Sequence, residues 1–242
     1  MVAKQIRSLQ HKLVKDASLL RKSKRFREET NQVLVSGKKM LFELARDFLP
    51  EVVFSVEPVS FPGATVYQVT PTILRKITGM PSPDGYAAFF PKKESKLAGK
   101  GPLLILDGVQ DPGNVGTLLR TALGLKWAGV ALVGETADPW GDKALRASKG
   151  APFYLPCQAL SCQEVQMLLQ EKGLHPYLAD LRGEALDRAR LVRPLALILS
   201  SEGQGANPSS YPRATPLTLP MHSKIESYNV ASSGSILLYA LR

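Results

Sequence analysis

Beyond residue 102 the chain repeats one arrangement, a short apolar run followed by a helical stretch, and this alternation limits the available folds more than any other feature. Leu103–Leu106 leads through a Gly-rich turn into a helix expected from about Val115, and Val130–Val133 follows. Ser161 and Glu164 make a capping box for a helix that stops at Gly173, Leu195–Leu199 is the next apolar run, and a closing helix carries Val230, Ile236, Leu237 and Leu241. Runs that are apolar at every position have no solvent face. Alternating with helices, they specify an α/β fold with a mostly parallel sheet covered on both sides.

The first part of the chain reads differently. A helix is expected from Ile6, Leu9 and Leu13, with a further apolar pair at Leu19 and Leu20, and another from Met40, Leu41, Leu44 and Phe48. Strands fit Gln32–Val35, Val52–Val56, Val66–Val69 and Tyr86–Phe90. Between the last two, Thr70 is placed to cap a short helix, Pro71 suits its first turn, and Gly79 suits a left-handed exit. The polar, aperiodic stretch 91–101 separates a smaller basic α/β domain, 1–95, from the larger domain, 96–242.

Charge is distributed just as unevenly. Of the formal net charge of +10, residues 1–100 carry +9, from 18 Lys and Arg against 9 Asp and Glu. Arg21, Lys22, Lys24, Arg25 and Arg27 form a dense stretch with Phe26 embedded in it. An isolated run of this kind is most simply a solvated helix face. Charge concentrated on one domain is instead the footprint of a polyanion-binding surface, because neutralised phosphates release condensed counterions. Lys22, Lys24, Arg25 and Arg27 are therefore the candidate substrate contacts, and nucleic acid is the expected partner.

Other classes are excluded by what the chain lacks. No apolar run approaches the roughly 20 residues needed to cross a bilayer, so no membrane partner is expected. Two cysteines, Cys157 and Cys162, make no disulfide framework, and His11, His175 and His222 have no metal-ligand spacing, so no metal is expected. The opening residues lack the apolar core of a secretory signal. The expected compartment is reducing: the cytoplasm, or an organelle interior reached with a transit peptide since removed.

Three loops carry the chemistry. The first, Leu106–Gly116 (LDGVQDPGNVG), places glycines between a strand and a helix, where backbone N–H groups approach a polar ligand closely. It matches neither the dinucleotide fingerprint nor a P-loop, which argues against a Rossmann-type nucleotide enzyme. Within it, Asn114 and Arg120 stand six residues apart, about 120° around the helix from one another, so they meet only across a concave site. The second, Ile198–Gly205 (ILSSEGQG), leaves the C-terminal end of a buried strand, where open α/β sheets bind ligands. The third, Leu219–Asn229 (LPMHSKIESYN), enters the closing helix. Each alone is an ordinary turn or cap; the three in this order are a stronger signal.

In that order they resemble the SpoU/TrmH group of SPOUT-superfamily RNA 2′-O-methyltransferases. Asp111-Pro112-Gly113-Asn114-Val115-Gly116 with Arg120 is similar to the family's first motif, Ser201-Glu202-Gly203 to its second, and Leu219-Pro220-Met221 with Ser227-Tyr228-Asn229-Val230 to its third. The basic N-terminal part resembles, by layout, the ribosomal-protein-like substrate-binding domain that many members carry. Ser200 and Ser223 stand where the family usually has glycine, and Tyr228 where it usually has leucine.

The resemblance implies a C-terminal trefoil knot, S-adenosylmethionine bound in the knotted loops, a homodimer, and methyl transfer to RNA, with rRNA ahead of tRNA. It places cofactor contacts at Leu199, Ser200, Gly203, Leu219, Met221, Tyr228, Asn229 and Val230, and catalytic roles at Asn114, Arg120, Glu202, Ser227 and Asn229. Arg120 is better suited to gripping phosphate and stabilising alkoxide charge than to serving as a base, since a guanidinium keeps its proton. The closing helix near Ile236 and Leu237 is the expected dimer contact. The competing expectation is a non-catalytic RNA-binding module that keeps the fold and has lost cofactor use.

Overall fold

The computed structural model describes residues 4–93, 96–201 and 208–242. In chain order these form β1 (Lys4–Ile6), α1 (Lys12–Lys22), α2 (Lys24–Thr30), β2 (Gln32–Ser36), α3 (Lys38–Leu44), β3 (Val52–Ser55), β4 (Thr65–Val69), α4 (Pro71–Thr78) and β5 (Tyr86–Pro91). Then follow β6 (Leu103–Asp107), α5 (Pro112–Gly124), β7 (Gly129–Val133), α6 (Asp142–Ser148), β8 (Cys157–Ala159), α7 (Cys162–Glu171), β9 (His175–Ala185), β10 (Leu195–Ser200), β11 (Thr215–Thr218) and α8 (Val230–Leu241). They make two compact units: Met1–Lys93 with Trp140–Gly150, and Glu94–Pro139 with Ala151–Arg242. The expected division at 95/96 thus omits one excursion, since 140–150 packs with the first unit, where α6 lies against β2.

The first unit is a five-stranded sheet, order β1-β4-β3-β5-β2, with β5 antiparallel to both neighbours. On one face Leu34, Phe54, Ala87 and Phe89 meet Val14, Ala17 and Leu20 of α1 and Ile73, Leu74 and Ile77 of α4. α4 is built from the expected signals: Thr70 Oγ1 accepts the N–H of Ile73 at 3.3 Å, Pro71 opens the helix, and Gly79 ends it at φ +66°. The expected helix from Ile6 is a different object. Ile6 lies in β1, paired in parallel with β4, and the helix begins only at Lys12. The Ser8–His11 turn breaks the apparent period and leaves Leu9 43% exposed.

The second unit is a six-stranded sheet, order β11-β9-β10-β6-β7-β8, and every pair in it is parallel. Alternate residues of the apolar runs serve opposite faces. Leu104, Leu106, Val130, Leu197 and Leu199 pack with α5 and α8, while Leu103, Ile105, Ala131, Ala196 and Ile198 pack with Val165 and Leu169 of α7. The capping box of α7 is present, with Ser161 and Glu164 exchanging both bonds. α8 rests closely on the sheet because Gly234 has no side chain: a Cβ there would lie 2.5 Å from Leu118 Cδ2 and from Leu199 Cδ1. Trp127 fixes the far end of α8, donating its indole N–H to Leu238 O at 3.3 Å.

Candidate active site

The strand order of the second unit changes direction between β6 and β10. From β6 the chain builds outward through β7 and β8, and the later strands fill the other side. Such a switch point leaves a crevice beyond the carboxyl ends of the two central strands, the usual ligand site of an open α/β sheet. Here Asp107 of β6 pairs with Ser200 of β10, so the first and second loops leave the sheet side by side. The exit of β6 is pinned by Thr136, whose hydroxyl accepts the N–H of Gly108 at 3.0 Å and lies 2.7 Å from Val133 O.

Two helices begin at this end. Asp111 caps α5, its Oδ1 accepting the N–H of Asn114 at 2.8 Å, and Pro112 opens the first turn. The helix therefore starts three residues before the expected Val115. Asn229 caps α8, its Oδ1 accepting the N–H groups of Ala231 at 3.0 Å and Ser232 at 3.3 Å. The Asn229 Nδ2 donates to Asn114 Oδ1 at 3.2 Å. One amide thus caps a helix and ties the third loop to the first, across 115 residues of sequence. Along the same seam Thr121 Oγ1 and Ser235 Oγ lie 3.3 Å apart.

A pocket of about 370 Å³ opens beside these helix starts. Its apolar wall comprises Leu199, Leu217, Leu219, Val230 and Leu237, and Ser200, Ser201, Thr218, Ser227 and Ser233 supply hydroxyls. Tyr228 and Met221 complete the third-loop side, where the Tyr228 phenol donates to Pro220 O at 3.3 Å. Ala179–Arg182 of β9 form the opposite rim. There the Arg182 guanidinium beside Asp180, 3.1 Å between Nη2 and Oδ2, holds the carboxyl below the usual carboxylate range. Asp180 and Arg182 thus face the pocket together as an ion pair.

Of the expected cofactor contacts, Leu199, Ser200, Leu219, Met221, Tyr228 and Val230 line this pocket, with Ser227 beside them and Asn229 at the adjoining helix start. Glu202 and Gly203 lie outside the described residues. Arg120 does not line the pocket. It is on the exposed face of α5, opposite the buried stripe of Val115, Leu118, Leu119 and Ala122, and makes no ion pair with a described residue. Leu237, expected at a dimer contact, is buried at 1% exposure and belongs to the core. Ile236 (49%) and Tyr239 (60%) are the large exposed apolar residues of α8.

Arg27 also departs from expectation. It is 4% exposed and its guanidinium donates to Leu20 O, so it joins α2 to α1 and is not available to phosphate. Lys22, Lys24 and Arg25 are exposed; Lys24 faces Glu28 at 3.9 Å and Arg25 faces Glu29 at 2.6 Å.

Sequence reasoning missed Asp180, Thr218 and Ser233 at the pocket, and also the pair Tyr211 and Asp107. The Tyr211 hydroxyl, buried at 4% exposure, donates to Asp107 Oδ2 at 3.1 Å, anchoring the chain after the second loop to the strand that launches the first. Burial and the adjacent Asp107 charge push the phenol above its ordinary value, so it remains a donor. The one usable signal was an acidic residue closing an otherwise apolar strand. Burial also pushes the Cys157 thiol up to about 12, which removes it as a nucleophile.

Comparison with known proteins agrees with this geometry. The model of the SpoU rRNA Methylase family matches residues 101–239. A Bacillus subtilis protein named 23S rRNA (guanosine(2553)-2'-O)-methyltransferase RlmP is 30% identical over 249 aligned positions, covering 99% of both chains. The solved structure of a TrmH-family protein from Porphyromonas gingivalis is 30% identical, with a TM-score of 0.85 over 97% of this chain and 98% of that one. An AdoMet-bound rRNA methyltransferase from Sinorhizobium meliloti shares the fold at a TM-score of 0.88 and 24% identity, over 99% and 97% of the two chains. A family match over more than half the sequence, together with a relative alike from end to end, means that this chain belongs to the SpoU rRNA methylase family.

Proposed function

We propose that this protein is a ribose-2′-O-methyltransferase that uses S-adenosylmethionine and acts on ribosomal RNA, with tRNA as the second candidate substrate. The observation that carries the reading is the pocket at the switch point, joined by the Asn114–Asn229 bond to the start of α5. Its volume falls within the range of about 300–1,000 Å³ usual for small-molecule sites. Its chemistry fits the cofactor: the leucine and valine wall accepts a flat purine, and the serine and threonine hydroxyls meet ribose and amino-acid groups. Of the three departures from the family pattern, Ser200 and Tyr228 form part of the wall and leave the space open, while Ser223 does not line the pocket. Gly203 and the trefoil knot complete the reading by family membership.

When bound, the cofactor supplies an electrophilic methyl group on a sulfonium. The protein's task is to align a ribose 2′-hydroxyl with that group and to stabilise the charge left as its proton departs. Asn114, Ser227 and Asn229 orient the ribose; Glu202, outside the described residues, keeps the role that the family resemblance implies, holding Arg120 or a motif loop. Arg120 grips the target phosphate and stabilises the developing alkoxide, the proton leaving to phosphate or water.

Arg120 stands outside its own chain's pocket; in this reading a second copy supplies it to the complete site, and the protein works as a homodimer. The exposed Ile236 and Tyr239 of α8 suit that contact. Among the described residues no helix is long and apolar enough to cross a membrane. The setting that fits an rRNA substrate is the cytoplasm or an organelle interior.

The test is incubation with methyl-labelled cofactor and deproteinised rRNA, followed by digestion and identification of 2′-O-methylated nucleosides. RNA binding with neither cofactor binding by calorimetry nor ribose methylation would instead support the non-catalytic RNA-binding module. For the shared site, Arg120→Ala mixed with the pocket-filling Ser227→Trp should recover activity that neither has alone; no recovery refutes the exchange.

A further inference from the structure

The first unit's positive charge is not uniformly available. Lys12 faces Asp16 at 2.6 Å, Lys24 faces Glu28, Arg25 faces Glu29, and Lys39 faces Glu43 at 3.9 Å. Each pair contributes almost no net field, and Arg27 is buried. Arg21, Lys22, Arg75 and Lys76 are among the cations that, like Lys4, Arg7, Lys15 and Lys38, have no acidic partner among the described residues, and they alone of these share two packed helix ends.

The fold gathers these four into one place. Arg21 and Lys22 occupy the last turn of α1, and Arg75 and Lys76 the last turn of α4. The two turns lie side by side. Ser18 Oγ reaches Lys76 O at 3.5 Å, and the Arg21 guanidinium rests on Gly79, where a Cβ would fall 1.8 Å from its Nη1. Gly79 thus has two reasons to be glycine, its φ of +66° and this contact. Beneath the charges, Ala17 and Leu20 of α1 pack against Ile73, Leu74 and Ile77 of α4, so the patch stands on a rigid base.

Two helix C-termini carry about half a negative charge each, which four cations outweigh to leave roughly three positive charges. The last carbonyls are also partly satisfied, Leu19 O by the Ser23 N–H and Arg75 O by the Gly79 N–H, each at 2.8 Å. The result is a compact cationic surface without interspersed carboxylates, the arrangement that binds a polyphosphate backbone.

We infer that this patch, Arg21 and Lys22 of α1 with Arg75 and Lys76 of α4, is where the first unit grips the RNA backbone, while the basic residues of α2 are surface charge. The inference rests on the RNA-methyltransferase reading and specifies which surface holds the substrate.

The experiment measures affinity for deproteinised large-subunit rRNA at several salt concentrations. Lys22→Gln/Arg75→Gln/Lys76→Gln, which spares the packed Arg21, should lower the slope of log K against log salt by about 2 units, from roughly 0.7 per lost contact. The charge-retaining Lys22→Arg/Arg75→Lys/Lys76→Arg should keep the wild-type slope. Lys24→Gln/Arg25→Gln should change it by less than about 0.5 units on the same scale. The assignment is overturned if the neutral triple variant superimposes on wild type, if the charge-retaining variant loses the slope too, or if the α2 variant has the larger effect. A wild-type protein without rRNA affinity is a separate result, which overturns the RNA reading itself.

Discussion

Asn229 has two separable duties, and two substitutions pull them apart. Its Oδ1 caps α8 through Ala231 and Ser232, and its Nδ2 holds Asn114. Asn229→Ala removes both. Loss of an N-cap costs about 0.5–2 kcal/mol, and loss of a net hydrogen bond about 0.5–1.5 kcal/mol, so stability should fall by about 1–3 kcal/mol. Asn229→Asp keeps an acceptor at the cap and adds a negative charge at a helix N-terminus, worth about 0.3–1 kcal/mol. It cannot donate to Asn114, whose amide must turn over to present Nδ2 in place of Oδ1. The aspartate variant should therefore fold within about 1 kcal/mol of wild type, yet lose methyl transfer by at least tenfold because Asn114 is reoriented. Urea unfolding followed by tryptophan fluorescence reads the first quantity. Trp127, bonded to α8 and one of two tryptophans, reports on the right unit once Trp140 is replaced by Phe. Single-turnover methylation reads the second. If the aspartate variant turns over within threefold of wild type, the Asn114–Asn229 tie has no part in catalysis.

Other outcomes follow from the same geometry. Arg120→Ala should retain cofactor affinity by calorimetry and lose transfer by at least about a hundredfold, since Arg120 lies outside the pocket; near wild-type turnover would end its catalytic assignment. Tyr211→Phe keeps the ring and strips Asp107 of its donor, so stability should drop by about 1–3 kcal/mol, with a midpoint in urea unchanged from wild type as the contrary result. Gly234→Ala sets overpacking of about 1–3 kcal/mol against a helix-propensity gain of about 1 kcal/mol. Its clearer effect should be weaker cofactor binding, because the displaced Leu199 is also a pocket wall; unchanged affinity would show that the core absorbs the methyl elsewhere.

The alternating apolar runs of residues 103–241 made the parallel sheet legible in advance, because a strand buried on both faces has no room for polar residues. Local signals placed α4 and α7 for a similar reason: Thr70, Gly79, Ser161 and Glu164 act within four residues of themselves, a range over which sequence neighbours are spatial neighbours. The three loops were also visible as loops, and their order suggested the family. Tertiary structure alone could decide what depends on long-range pairing. β10 slots between β9 and β6, and that strand order sets Ser200 beside Asp107. The seams Asn114–Asn229 and Asp107–Tyr211 each join residues more than 100 positions apart. Charge counting marked the first unit as basic but misjudged Arg27, since composition does not know which face of α2 turns inward, and it passed over Arg75 and Lys76, which become part of one patch only when α4 lies against α1. Chemistry along the chain is readable wherever it is local; which groups share a site is decided by packing, and packing belongs to the folded whole.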